Sequence, residues 1–157
     1  MTRTIKKIVL HCSDSDIMKH NDISIIKQWH RARGFKDVGY HYFIQKNGTV
    51  QFGRKPDVEG AHVLGHNKDS IGICLHGRKE FTFDQFRSLA RLIKELAGKY
   101  KLSKGFIFGH NDFTDQKTCP NYDVQEFLNR FLPAFMKDGK GTFKIMKPAA
   151  VAEKGSK

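Results

Sequence analysis

Two imidazoles and one thiol stand out by type and position. His11 closes an apolar run at residues 5–11, and His110 follows a second short run at 106–109. Cys119 comes nine residues after His110, across a polar loop. Both runs read as strands, so both histidines fall at strand ends on one edge of a sheet. Two neutral nitrogens and one thiolate form a catalytic zinc set, with three protein ligands and an open fourth position. Such a centre lowers the pKa of bound water toward neutrality. The spacing is equally met by a buried thiol and two hydrogen-bonded histidines. Cys12 points to the opposite strand face from His11 and reads as core. The three cysteines, Cys12, Cys74 and Cys119, are odd in number and contain no Cys-x-x-Cys pair. They do not read as a disulfide framework, and zinc-ribbon and thioredoxin readings lose their usual support.

The elements that must position these groups follow from periodicity and punctuation. Asn21 or Asp22 caps a helix whose face carries Ile23, Ile26, Trp29 and the stem of Arg33, ended by Gly34. Residues 40–45 (YHYFIQ) and 50–53 are strands joined at Asn47-Gly48, a pair that tolerates positive φ in a tight hairpin. A loop at 56–68 leads to a buried strand at 70–76. Thr82-x-x-Gln85 is a capping box opening the longest helix, lined by Phe86, Leu89, Ile93, Leu96 and Tyr100. A last amphipathic helix runs from Val124 to Phe135, with Pro133 bending or ending it. Strand, helix, hairpin, strand, helix, strand, helix is an α/β order: a mixed central β-sheet flanked by helices.

The 157 residues suit one domain. Residues 1–136 form the expected catalytic domain, and 137–157 lose all periodicity and read as a flexible basic tail. No apolar run is long enough to span a membrane, and the N-terminus does not read as a secretory signal. Lys and Arg number 28 against 16 Asp and Glu, a net charge of +12, which draws the chain to polyanions. The tail's six lysines against Asp138 and Glu153 supply +4 of this.

The motifs resemble those of zinc N-acetylmuramoyl-L-alanine amidases of the type-2 amidase and peptidoglycan-recognition-protein family, with the nearest likeness to the short lysozyme-amidase endolysins of T-odd coliphages. The matching blocks are VLHCS at 9–13, IKQWHRARGF at 26–35, DVGYHYFIQKNGTVQFGR at 37–54, GAHVLGHNKDSIGICLHG at 60–77, GH at 109–110 and KTCP at 117–120. They stand in family order across residues 5–135. The resemblance implies an amidase/recognition-protein-like fold and one zinc ion held by His11, His110 and Cys119. It implies that Tyr40 is the catalytic tyrosine and Lys117 the lysine that assists at the scissile carbonyl. It places His62 along the substrate groove. His66 and Asn67, in the same loop, are candidate substrate contacts. Arg54 is a candidate for an acidic peptide group or a solvated arginine. Trp29 reads as core, His30 as a surface or capping residue, His41 as packing or a partner to a ligand, and His20 as exposed. His76 carries no assigned chemistry.

Three functions compete. The first is a phage-type endolysin that cleaves the amide between N-acetylmuramic acid and L-alanine. It would be monomeric and held in the host cytoplasm until the membrane is opened, then act on the wall, its charge aiding contact with an anionic envelope. A cytoplasmic amidase for recycled wall fragments is the near variant. The second is a regulatory module that inhibits a phage RNA polymerase, as relatives of this type do with an N-terminal segment that is short here. The third, nucleic-acid binding, has only the charge behind it, with no recognition fold and dispersed lysines, so no specific nucleic acid is expected.

Overall fold

The computed structural model describes residues 3–102 and 105–133. The apolar run ahead of His11 becomes strand β1 (Lys7–Cys12), buried from Ile8 onward. Asp22 caps helix α1 (Ile23–Ala32) by accepting from the Ser24 amide at 2.8 Å. The hairpin is β2 (Tyr42–Ile44) and β3 (Val50–Phe52), followed by β4 (Ser70–Leu75), in which every residue is buried. Helix α2 (Phe83–Tyr100) opens on the expected capping box: the Thr82 hydroxyl accepts from the Gln85 amide and the Gln85 carbonyl oxygen accepts from the Thr82 amide. β5 (Ile107–Gly109) and α3 (Val124–Phe131) complete the chain of elements.

The sheet order is β3-β2-β4-β1-β5. β4 lies parallel to both β1 and β2, β5 is parallel to β1, and only β3 runs antiparallel at an edge. A continuous apolar run such as 70–75 is what a central parallel strand needs, because helices cover both its faces. On one face Ile8, Leu10 and Cys12 pack with Leu89, Ile93, Phe127 and Leu128 of α2 and α3. On the other, Phe43 and Cys74 pack with Ile26, Val38 and the half-buried Ile23 and Trp29. Strand alternation then sends His11 to the α1 face, away from the larger core.

Four local expectations change. Tyr40 and His41 precede β2 rather than belonging to it, although the Tyr40 carbonyl still accepts from the Arg54 amide at 3.0 Å. The hairpin closes through Gln45 and Thr49, so its loop is three residues, 46–48, with positive φ at Gly48 alone (91°). That is the longer type of turn, in which a single left-handed glycine corrects the strand twist. Met18–His20 forms a 3-10 turn within the expected loop, and His110–Asp112 forms another directly after β5. Helix α3 stops at Phe131, and Leu132 takes φ −140°, because the residue before Pro133 is sterically barred from the helical region. Phe135 and the tail at 137–157 lie outside the described residues.

His30, expected at the surface or as a cap, and His76, left without a role, are buried structural groups, and His41 packs inside as expected. His30 Nδ1 accepts from the Gly39 amide at 2.8 Å. His41 Nδ1 accepts from the Gly72 amide at 3.0 Å, and its Nε2–H donates to the Val58 carbonyl at 2.8 Å. His76 bonds the Ser13 hydroxyl and the Ile17 carbonyl, each at 3.0 Å, holding the loop after β1 against β4. Burial first, then nearby cations, lowers His30 to about 4; burial dominates in His41 and His76, which are also lowered to about 4. Each group binds its proton more readily when unfolded, near the ordinary 6.5. Their contribution is therefore complete above that value and is lost as pH falls toward 4, by about 1–3 kcal/mol each. Urea unfolding of metal-free protein should show a clearly lower midpoint near pH 5 than near pH 7.5. A midpoint that holds or rises on acidification would contradict these burials.

Candidate metal centre

Sheet register explains why distant ligands meet. Leu10 pairs with Gly109 across β1 and β5, so the next residues stand side by side, His11 still within β1 and His110 opening the turn after β5. Their ring centroids are 4.8 Å apart. The turn that carries His110 is fixed by the Asp112 carboxylate, which accepts from the Gly109 amide at 2.8 Å. The loop then returns, and the Asn111 amide donates to the Cys119 carbonyl at 2.9 Å. This brings Cys119 Sγ to 3.7 Å from His11 Nδ1 and to 3.2 Å from the Cys12 amide, which donates to it.

One donor atom from each of His11, His110 and Cys119 lies within 4.8 Å of the others. Tetrahedral zinc with ordinary Zn–N and Zn–S bonds requires an N···S edge of about 3.6 Å. The 3.7 Å pair fits that edge without rearrangement. The electrostatics fit too. Burial, then His62 and His110, lowers His11 well below its ordinary range, and burial followed by Lys117 lowers His110. Both imidazoles are thus neutral, as ligands must be. Burial, with the Cys12 thiol beside it, raises Cys119 well above its usual value, so metal binding there must release a proton.

The centre lies in a groove of about 840 Å³. Tyr40 lines it with its ring 4.9 Å from that of His11, and burial beside the Cys74, Cys119 and Cys12 thiols holds its phenol well above the usual value. Lys117 is exposed on the rim. His62 also lines the groove, but both ring nitrogens are engaged within the protein: Nδ1 lies 2.8 Å from His11 Nε2, and Nε2 lies 3.2 Å from Ser70 Oγ. Asn67 borders the groove as well, its carbonyl oxygen accepting from the His62 and Val63 amides at 2.8 and 2.9 Å. His66 is absent from the groove wall. Its ring stacks on Phe113 at 4.2 Å and borders a separate cleft with Arg3, Lys6 and Lys68. Arg54 also lies off the groove wall and donates to the Val38 and Glu59 carbonyls at 2.7 and 2.9 Å.

The family described as N-acetylmuramoyl-L-alanine amidase matches residues 1–122, more than half of the chain and all three candidate ligands. The chain belongs to this family. Among similar amidase-family proteins is the endolysin of Enterobacteria phage K11, 37% identical over 127 residues, which are 76% of this chain and 82% of that one. The endolysin of Escherichia phage T7 is 34% identical over 131 residues, covering 78% and 85%. Of solved structures, N-acetylmuramoyl-L-alanine amidase LysC from Clostridium intestinale URNW superposes with a TM-score of 0.73 at 29% identity, covering 82% of this chain and 85% of that one.

In this amidase the α1 side of the groove was the part missed in the sequence. Trp29 is half-buried in the wall rather than purely core, and Arg33 and Phe35 extend that wall. The available signal was the four-residue spacing of Trp29 and Arg33, which puts an aromatic ring and a cation on one helical stripe. Leu64 also lines the groove and is 94% exposed, an apolar contact open to solvent.

Proposed function

We infer that this protein cleaves the amide between N-acetylmuramic acid and L-alanine in peptidoglycan, with one zinc ion held by His11, His110 and Cys119. The observation that carries this reading is the convergence of two neutral imidazoles and one thiol beside an open groove that His110 and Cys119 line. Zinc bound there supplies a water of lowered pKa and Lewis acidity toward the scissile carbonyl. The chain's own groups do the rest. The neutral phenol of Tyr40, beside His11, donates or accepts one hydrogen bond at the attacking water and can pass its proton onward. Lys117 brings a positive charge to the oxyanion that develops as the amide carbon becomes tetrahedral.

The groove walls divide the remaining work. Trp29 and Phe35 offer flat apolar surface on the α1 side, Val63 and Leu64 line the groove as well, and these surfaces suit sugar faces and alanine methyl groups. His62 and Asn67 also line the groove, and His62 acts on substrate by holding His11. The offset of His66 and the bonds of Arg54 direct those two residues to fixing the loops around the groove. The reading extends to biology: a phage-type endolysin that reaches the wall once the host membrane is opened, its +12 charge favouring an anionic envelope. Among the described residues no helix is long and apolar enough to cross a membrane.

Purified protein should solubilise isolated walls and expose new L-alanine amino termini, and a zinc chelator should stop it. New reducing sugar ends without new amino termini would identify a glycosidase and reject the proposal. Activity confined to soluble fragments would favour the recycling variant.

A further inference from the structure

The bonds behind His11 have a direction that can be deduced by counting protons. The Ser70 hydroxyl lies 2.8 Å from the His66 carbonyl. A carbonyl only accepts, so the single hydroxyl proton of Ser70 is committed to it. Ser70 Oγ can then only accept from His62 Nε2, 3.2 Å away, which must be the protonated ring nitrogen of His62. That ring is 8% exposed, an environment that favours the uncharged imidazole with its single proton. His62 Nδ1 is therefore bare and accepts across 2.8 Å from His11 Nε2–H. His11, 1% exposed and so held uncharged in the same way, is left with a bare Nδ1, the nitrogen that faces Cys119 Sγ.

We propose that His62 and Ser70, anchored on the His66 carbonyl, are positioning residues that preset the metal-binding tautomer and ring orientation of His11 before any metal arrives. The site is built for this. The rings of His11 and His62 meet edge to face at 86°, and their facing nitrogens are 2.8 Å apart. The His62 ring lies on β4 where Gly72 leaves room: a Cβ there would sit 2.6 Å from its ring. Ser70 and His62 are buried at 0% and 8% exposure, so water does not compete for their bonds. An imidazole ligand whose second nitrogen is committed to an acceptor is held in one tautomer and made more basic toward metal. The chain ends on a backbone oxygen, which cannot change its role. It also gives the His66 position a part that its side chain, stacked on Phe113, does not play.

The proposal rests on the zinc reading above, but its first test does not need metal. Long-range nitrogen–proton spectra of metal-free protein should show both His11 and His62 protonated on Nε2 only. Ser70→Ala removes the fixed acceptor, and a population protonated on Nδ1 should then appear for both rings. In zinc titrations against a competing chelator, His62→Leu should weaken binding about 10–100-fold, the usual effect of losing an outer partner. His62→Gln, whose carbonyl oxygen can still accept from His11, should recover most of that loss, which a purely space-filling role would not require. Wild-type His11 protonated on Nδ1 would overturn the proposal, as would unchanged tautomers in Ser70→Ala. Equal zinc affinity in folded His62→Leu and wild type would also overturn it. Failure of the wild type to bind zinc would instead reject the metal reading, while the spectra of metal-free protein still decide the tautomer.

Discussion

Cys119→Ala is expected to lose both the zinc equivalent and wall hydrolysis while keeping the fold. The thiolate is one of three ligands, so its removal leaves only His11 and His110, and the loss of affinity should exceed the ~10–100-fold typical of an outer partner. Hydrolysis should fall about a thousandfold or more, because Lewis-acid stabilisation of several kcal/mol disappears with the ion. One structural effect must be separated from this. Cys119 Sγ also accepts from the Cys12 amide at 3.2 Å, and deleting an acceptor of a buried donor costs about 1–3 kcal/mol. Cys119→Ser resolves the two: its hydroxyl can still accept from that amide, but oxygen is a harder ligand than thiolate. Near-wild-type melting of Cys119→Ser without zinc and without activity would locate the defect in the metal site. One zinc per chain and full activity in Cys119→Ala would overturn the ligand assignment.

The sheet and its helices were legible because each element announces itself locally. The run at 70–76 is too apolar for anything but a strand covered on both faces, and Thr82-x-x-Gln85 bonds in both directions as a capping box should. What one chain does not display is register. Nothing local says that Leu10 pairs with Gly109, yet that pairing alone turns two strand-end histidines into neighbours. The family motifs compensated for this at the ligand trio, whose convergence in space they imply. They placed His62 along the groove but gave no sign of its bonds to His11 and Ser70, and they did not compensate at Arg54, whose partners are the Val38 and Glu59 carbonyls. His30 was missed for a related reason, and the partners of His41, expected to pack, were not legible either. A histidine that accepts from a single buried amide looks the same in sequence as one in water.

Lys117→Met is expected to lower kcat by about a hundredfold or more, with little change in KM and no loss of zinc. Lys117 sits on the exposed rim, so in free protein water screens its charge and it contributes little to stability. Its effect grows only when bound substrate displaces that water and negative charge appears on the carbonyl oxygen, which is why kcat rather than KM should carry the loss. Methionine keeps much of the length and apolar stem, so the comparison isolates the charge. Lys117→Arg should recover part of the rate, since the charge returns but in a wider, forked group. A second readout is independent of turnover. After burial, the Lys117 charge is the cause that lowers His110, so in metal-free Lys117→Met the His110 titration should move up toward its ordinary range. A mutant with raised KM, unchanged kcat and an unmoved His110 would place the Lys117 ammonium away from the centre and leave the oxyanion to the metal alone. A fall in kcat together with the His110 shift would put the charge beside both the second imidazole and the developing oxyanion.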